Sequence, residues 1–146
     1  MADNKKEKIV HIQLTGQNYK TIMTAGRHEI TADEPVSVGG QDLGPDPYDL
    51  LLMSLGSCSV ITMKMYAERK KWDLKDVYIE LRHRKEQATG SEKENGAMVD
   101  VIEKEMLTEG DLNEEQLEKL LEISKKCPVH RTLMNCVEIK STIQKK

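Results

Sequence analysis

The stretch from Leu51 to Trp72, LLMSLGSCSVITMKMYAERKKW, most constrains what this chain can fold into. Leu50 to Ala67 is about as long as a membrane-spanning helix. Yet it holds Ser54, Ser57, Ser59, Thr62 and Lys64, and Asp49 and Glu68 flank it. A helix apolar on most faces in a chain that is 32% charged reads as the buried central helix of a soluble domain. A length of 146 residues suits one such domain, 1–146, around one core. That core must be aliphatic and adaptable, because there is no Phe and there are eight Met. The net charge of −3 provides no basic excess for nucleic acid. The opening MADNKKEKIV lacks the apolar run of a signal peptide, so the expected location is cytoplasmic, with no membrane role. Three cysteines, with no C-x-x-C pair, argue against a disulfide framework.

Around the helix the pattern is mostly β. Residues 1–32 read as a small antiparallel meander, with Ile12 and Leu14 alternating with polar neighbours and turns at Thr15–Asn18 and Ala25–Gly26. DEPVSVGGQDLGPDP, residues 33–47, carries three prolines and three glycines, too many for a regular element. Asp46 is placed as N-cap, Pro47 as first helical residue and Asp49 in the first turn of a helix over 47–71, with Gly56 a point for a kink or break. Residues 74–146 hold the remaining elements. Val77, Ile79 and Leu81 mark a strand over 76–86, Ala88–Gly96 a flexible connector, and Met98–Leu107 a second strand of mixed pattern. Asn113 with Gln116 forms a capping box for a helix with Leu117, Leu120, Leu121 and Ser124 on one face. Pro128 opens a further helix, and Val137, Ile139 and Ser141 alternate in a final strand. The order predicts an α+β fold with antiparallel sheet.

The thiols carry the chemistry. Cys58 shares a helix face with Leu51, Leu55, Thr62 and Met65. An apolar wall of this kind suits a small core side chain and leaves a thiol protonated unless a cation reaches in. On that face only Lys64 comes near, and at a distance. Cys127 is different: it precedes Pro128 at a helix start, among Lys125, Lys126, His130 and Arg131, where thiolate is favoured. It reads equally as an ordinary helix-junction cysteine. Cys127 and His130 have the spacing of half a zinc site, but no second pair completes it, so no metal is expected. Cys136 is expected in the core. His11, His28 and His83 read as solvated or hydrogen-bonded, and Arg82–Glu86 as the wet face of a strand.

Two segments resemble the OsmC/Ohr family, the osmotically inducible and organic-hydroperoxide-resistance proteins, in its general OsmC-like subgroup. They are GGQDLGPDPYDLLLMSLGSCSVITMKMYAERKKWDLKDVYIELRHRK from Gly39 and LNEEQLEKLLEISKKCPVHRTL from Leu112. The resemblance implies an OsmC-like fold, with antiparallel sheets packed around a long central helix in an intertwined homodimer. It implies thiol-dependent reduction of organic hydroperoxides in oxidative-stress defence, with no cofactor and a dithiol reductant as partner. By motif position Cys58 corresponds to the peroxidatic and Cys127 to the resolving cysteine. Leu51, Leu55, Thr62, Met65 and His130 would then line the substrate pocket. Characterised members carry a glutamate one residue after the proline that opens the helix; Tyr48 stands there, with Asp49 next. The family's activating arginine comes from the N-terminal strands, where Lys20 and Arg27 are the candidates. These departures leave a second class of function open, a non-catalytic protein that binds a lipophilic ligand or senses redox state at the dimer interface.

Overall fold

The computed structural model describes residues 7–88 and 96–146, so the first part of the MADNKKEKIV opening and most of the Ala88–Gly96 connector lie outside the described residues. The chain divides into two compact units, one ending at Leu51 and one beginning at Leu52.

The first unit contains a three-stranded antiparallel sheet in the order β1 (His11–Leu14), β2 (Thr21–Ala25), β3 (His28–Ala32). Ile12 pairs with Met23, and Met23 with Ile30, as the alternation requires. The loop that follows is pinned from inside. The Asp33 carboxylate is buried and accepts backbone N–H bonds from Glu34 at 2.8 Å, and from Gln41 and Leu43 at 3.2 Å each. Gly40 admits the close approach this needs: a Cβ there would lie 1.9 Å from the Glu34 carbonyl oxygen. Contrary to expectation, the loop holds one regular element, a 3₁₀ turn at Val36–Val38. Pro35 enters it and Gly39, in the left-handed conformation, ends it, so the proline and glycine bracket a turn instead of excluding one.

Helix α1 (Pro47–Lys70) starts as its caps predict. Asp46 Oδ1 accepts from the Asp49 N–H at 2.8 Å, and Asp49 Oδ2 accepts from the Asp46 N–H at 3.1 Å. The helix ends at Lys70, and Lys71 directly after it adopts φ 59°. It also runs unbroken through Gly56. The glycine is buried against the next strand, and a Cβ on it would lie 2.7 Å from Leu81 Cδ1. Its role is close packing, not flexibility.

In the second unit β4 (Asp76–Gln87) pairs antiparallel with β5 (Met98–Glu109), Leu81 opposite Lys104 and Ile79 opposite Met106. Outward residues carry an ion-pair ladder: Arg82 with Glu80 and Glu105, and Arg84 with Glu86 and Glu103. This is the wet face expected for Arg82–Glu86, and His83 bonds Asp100 at 2.8 Å. Helix α2 (Glu114–Ser124) opens with the expected Asn113–Gln116 capping box, and α3 (Pro128–Met134) follows with Pro128 in its first turn. The core gathers Met63, Ala67, Leu74 and Leu120, with Tyr66, Trp72, Val77, Met106 and Leu112 packed around them. Of the predicted α2 face, Leu120 and Ser124 are buried while Leu117 and Leu121 stay largely exposed.

α1 is long and apolar enough to cross a bilayer, with a window of mean hydropathy 1.4. Core helices of soluble proteins meet the same description, and α1 buries Leu55, Gly56, Ser59, Met63 and Ala67 within the protein.

The chain after α3 departs from expectation. No strand forms over Val137–Thr142, and Cys136 is exposed, not in the core. Val137, Ile139 and Ile143 are exposed as well. Alternation makes a segment ready to pair; it becomes a strand only where an edge is offered.

Candidate active site

The second unit brings Cys58, Cys127 and His130 together, and it adds Ser59, Ser124 and Lys104. The helix α1 explains the first pair. Its buried stripe is Leu55, Ser59, Met63 and Ala67, a strict four-residue repeat. Cys58 sits about 100° to one side of that stripe and is half-buried, whereas Ser59 lies on it with no exposure. The wall expected around Cys58 is uneven: Leu55 is buried, Leu51 and Thr62 are half-buried, and Met65 is exposed. The Thr62 hydroxyl turns back to donate to the Cys58 carbonyl at 2.7 Å.

Cys127 is the N-cap of α3, with extended backbone angles, and is fully buried. Its Sγ lies 3.5 Å from Ser59 Oγ. Lys104 approaches from β5. Its Nζ donates to Ser59 Oγ at 3.1 Å, to the Ser124 carbonyl at 3.2 Å and to His130 Nδ1 at 3.1 Å. An ammonium has three N–H groups and no acceptor. All three are therefore used, and His130 must accept at Nδ1 and carry its proton on Nε2. The buried Ser124 hydroxyl is satisfied separately by the Leu121 carbonyl at 2.7 Å.

The electrostatics follow this geometry. Burial pushes the Cys127 thiol up, but the Ser59 hydroxyl, the His130 backbone N–H, the adjoining Cys58 thiol and the Lys104 charge outweigh it, and the net shift is downward. Burial lowers the Lys104 ammonium, with Lys125 adding to the effect and the neighbouring Cys127 and Cys58 opposing it. His130 is lowered too, first by burial and then by Lys104 and Lys125, which favours the neutral ring that Lys104 requires.

Lys104 brings from β5 a positive charge that the Cys58 face of α1 lacks. Lys64, the nearest cation on that helix, is occupied elsewhere, with the Leu74 carbonyl at 2.9 Å and Glu68 at 3.7 Å. A signal for Lys104 does exist in the sequence: it is in phase with Ile102, Met106 and Thr108, three half-buried residues of β5, so a lysine occupies the inward phase of an amphipathic strand. The remaining candidates lie in the first unit. Lys20 precedes β2, Arg27 is in the β2–β3 turn, and Tyr48 and Asp49 are exposed in the first turn of α1, where the Asp49 carboxylate takes part in the cap. Among the described residues there is no cluster of His, Cys, Asp or Glu that could hold a metal ion. A surface groove of about 590 Å³ lies elsewhere, lined by Tyr66, Lys70, Trp72, Gln116, Lys119 and Glu122 among others, and includes none of the thiol-site residues.

The family described as OsmC-like protein matches residues 39–142. No curated protein matches the chain. Among solved structures, the OsmC-like protein of Mycoplasma pneumoniae is similar with a TM-score of 0.71 at 19% identity, over 88% of each chain. An organic hydroperoxide resistance protein, OsmC, from Legionella pneumophila gives 0.63 at 18% identity, over 87% of this chain and 88% of that one. The organic hydroperoxide resistance protein OhrB of Bacillus subtilis gives 0.59 at 17% identity, over 86% and 89%.

Proposed function

This chain belongs to the OsmC-like protein family, and we propose that within it the chain is a thiol-dependent reductase of organic hydroperoxides. The observation that carries the reading is the meeting of two thiols 69 positions apart, Cys58 half-buried and Cys127 buried, beside a lysine ammonium. The half-buried sulfur is the one a peroxide can reach. Cys58, as thiolate, attacks the distal peroxide oxygen and becomes a sulfenic acid while the alcohol leaves. Cys127 then condenses with it to a disulfide, releasing water, and a dithiol reductant returns both thiols. Leu51, Leu55, Thr62 and Met65 would hold the organic tail, with His130 beside the sulfurs. Lys20, Arg27, Tyr48 and Asp49 remain candidates for tuning Cys58. Three free cysteines suit the reducing cytoplasm.

Cumene hydroperoxide added to reduced protein should produce a Cys58–Cys127 disulfide by peptide mass spectrometry, and added dithiothreitol should sustain turnover. Ligand uptake with both thiols left reduced would instead favour the lipophilic binder.

The functional form in this reading is a homodimer. It is supported by the strand-patterned but unpaired segment after α3, whose Ile139 and Ile143 are 82% and 97% exposed. Light scattering on the eluted protein should return the mass of two chains; the mass of one would refute the dimer.

A further inference from the structure

The direction of the hydrogen bonds says more about the two thiols than their proximity does. Lys104 can only donate, so Ser59 Oγ must accept from it. A serine has one O–H and two lone pairs, so with one lone pair turned to the ammonium its hydroxyl is free to donate to Cys127 Sγ, 3.5 Å away. The His130 backbone N–H and the Cys58 thiol also favour negative charge on Cys127. A fully buried sulfur within reach of the Ser59 hydroxyl, which the Lys104 ammonium polarises, is best as a thiolate. The ionisable neighbours are Cys58 on α1, Lys104 on β5, Lys125 at the end of α2 and His130 on α3. None of them is an anion other than the partner thiol.

We propose that Lys104, acting through Ser59, makes Cys127 and not Cys58 the resident thiolate, and that Cys127 is the base that activates Cys58 before it acts as resolver. This rests on the hydroperoxide-reductase reading for its second half only. The Cys127 thiolate takes the Cys58 proton, leaving Cys58 as thiolate and Cys127 as thiol. Cys58 attacks the distal oxygen of the hydroperoxide: an S–O bond forms, the O–O bond breaks, Cys58 is oxidised and the peroxide is reduced to an alkoxide. The alkoxide takes the proton from Cys127 and leaves as alcohol. Cys127, again a thiolate, attacks the sulfenic sulfur; an S–S bond forms and hydroxide leaves, to be protonated by solvent. One proton therefore shuttles on a single sulfur through three steps. Lys104 and Ser59 are positioning residues, since neither touches the peroxide.

The test is a titration followed by thiolate ultraviolet absorbance, on full-length protein without peroxide. In a Cys58→Ser, Cys136→Ser background only Cys127 is seen; in a Cys127→Ser, Cys136→Ser background only Cys58. The expected result is that Cys127 ionises at lower pH than Cys58. Lys104→Met and Ser59→Ala, added to the first background, should each raise the Cys127 midpoint, Lys104→Met by about one to three pH units. Lys104→Arg should restore most of that shift, which guards against a fold lost through Lys104→Met; circular dichroism checks each variant. A Cys58 midpoint below that of Cys127, or a Cys127 midpoint unmoved by either substitution, would overturn the proposal. Protein that titrates as expected yet consumes no cumene hydroperoxide would refute the reductase reading and the shuttle built on it, while the thiolate assignment stands.

Discussion

Cys58→Ser protein is expected to consume organic hydroperoxide no faster than buffer, a loss of roughly three orders of magnitude or more, because the atom that accepts oxygen is gone. The measurement is residual hydroperoxide against time with dithiothreitol as reductant. Cys127→Ser should fail differently. With the half-buried sulfur retained, a sulfenic acid can form on Cys58 but has no partner to condense with, and a dimedone adduct on the Cys58 peptide should report it. The first reaction should also be slower than in the parent, since the shuttle base is missing. If Cys58→Ser protein still turns over hydroperoxide at the parent rate, the assignment of the peroxidatic sulfur fails. Equal and complete inactivity in both single variants, with no dimedone adduct in either, would also contradict it.

Leu120→Ala is expected to be the most damaging of the purely structural changes, at about 2–5 kcal/mol. Leu120 is 1% exposed and shares a cluster with Met63, Ala67 and Leu74, residues contributed by α1, α2 and the α1–β4 connection. Removing the isobutyl group leaves a void where three segments meet, and none of them can close it without moving the others. Urea unfolding at fixed protein concentration should show the midpoint falling by about 1 M or more. Leu121→Ala is the matched control: Leu121, next to Leu120 on the same helix, is 46% exposed, and the same deletion there should change stability by less than about 1 kcal/mol. Equal midpoints for the two variants would place the core elsewhere.

The two sets of predictions draw on different kinds of information. The helices were legible because their ends are local chemistry. Asp46 and Asp49 cap α1, Asn113 and Gln116 box α2, and Pro128 opens α3, each through bonds spanning three or four residues. The strands were legible because alternation has a period of two and needs no knowledge of the partner. Cys127 at a helix start was readable for the same reason, and the family resemblance marked both thiols. Local information was insufficient at Gly56, where the packing of Leu81 and not the helix itself decides what a glycine does. It also failed after α3, where Cys136 and the alternating residues behind it were expected inside and are exposed. Alternation records a capacity to pair, and whether an edge is available depends on the rest of the assembly.

By itself, then, the amino-acid order determined the class of fold, the starts of the three α-helices and the identity of two sulfurs worth watching. Only the tertiary structure decided that a positive charge meets them. Lys104 is 45 residues from Ser59, and Ser59 is 68 from Cys127. A Coulomb interaction depends on distance in space and on the depth of burial, and neither is a property of a short stretch of chain. The inward phase of Lys104 is written in the β5 pattern, but its reach to a serine on α1 and a histidine on α3 exists only once those elements are packed.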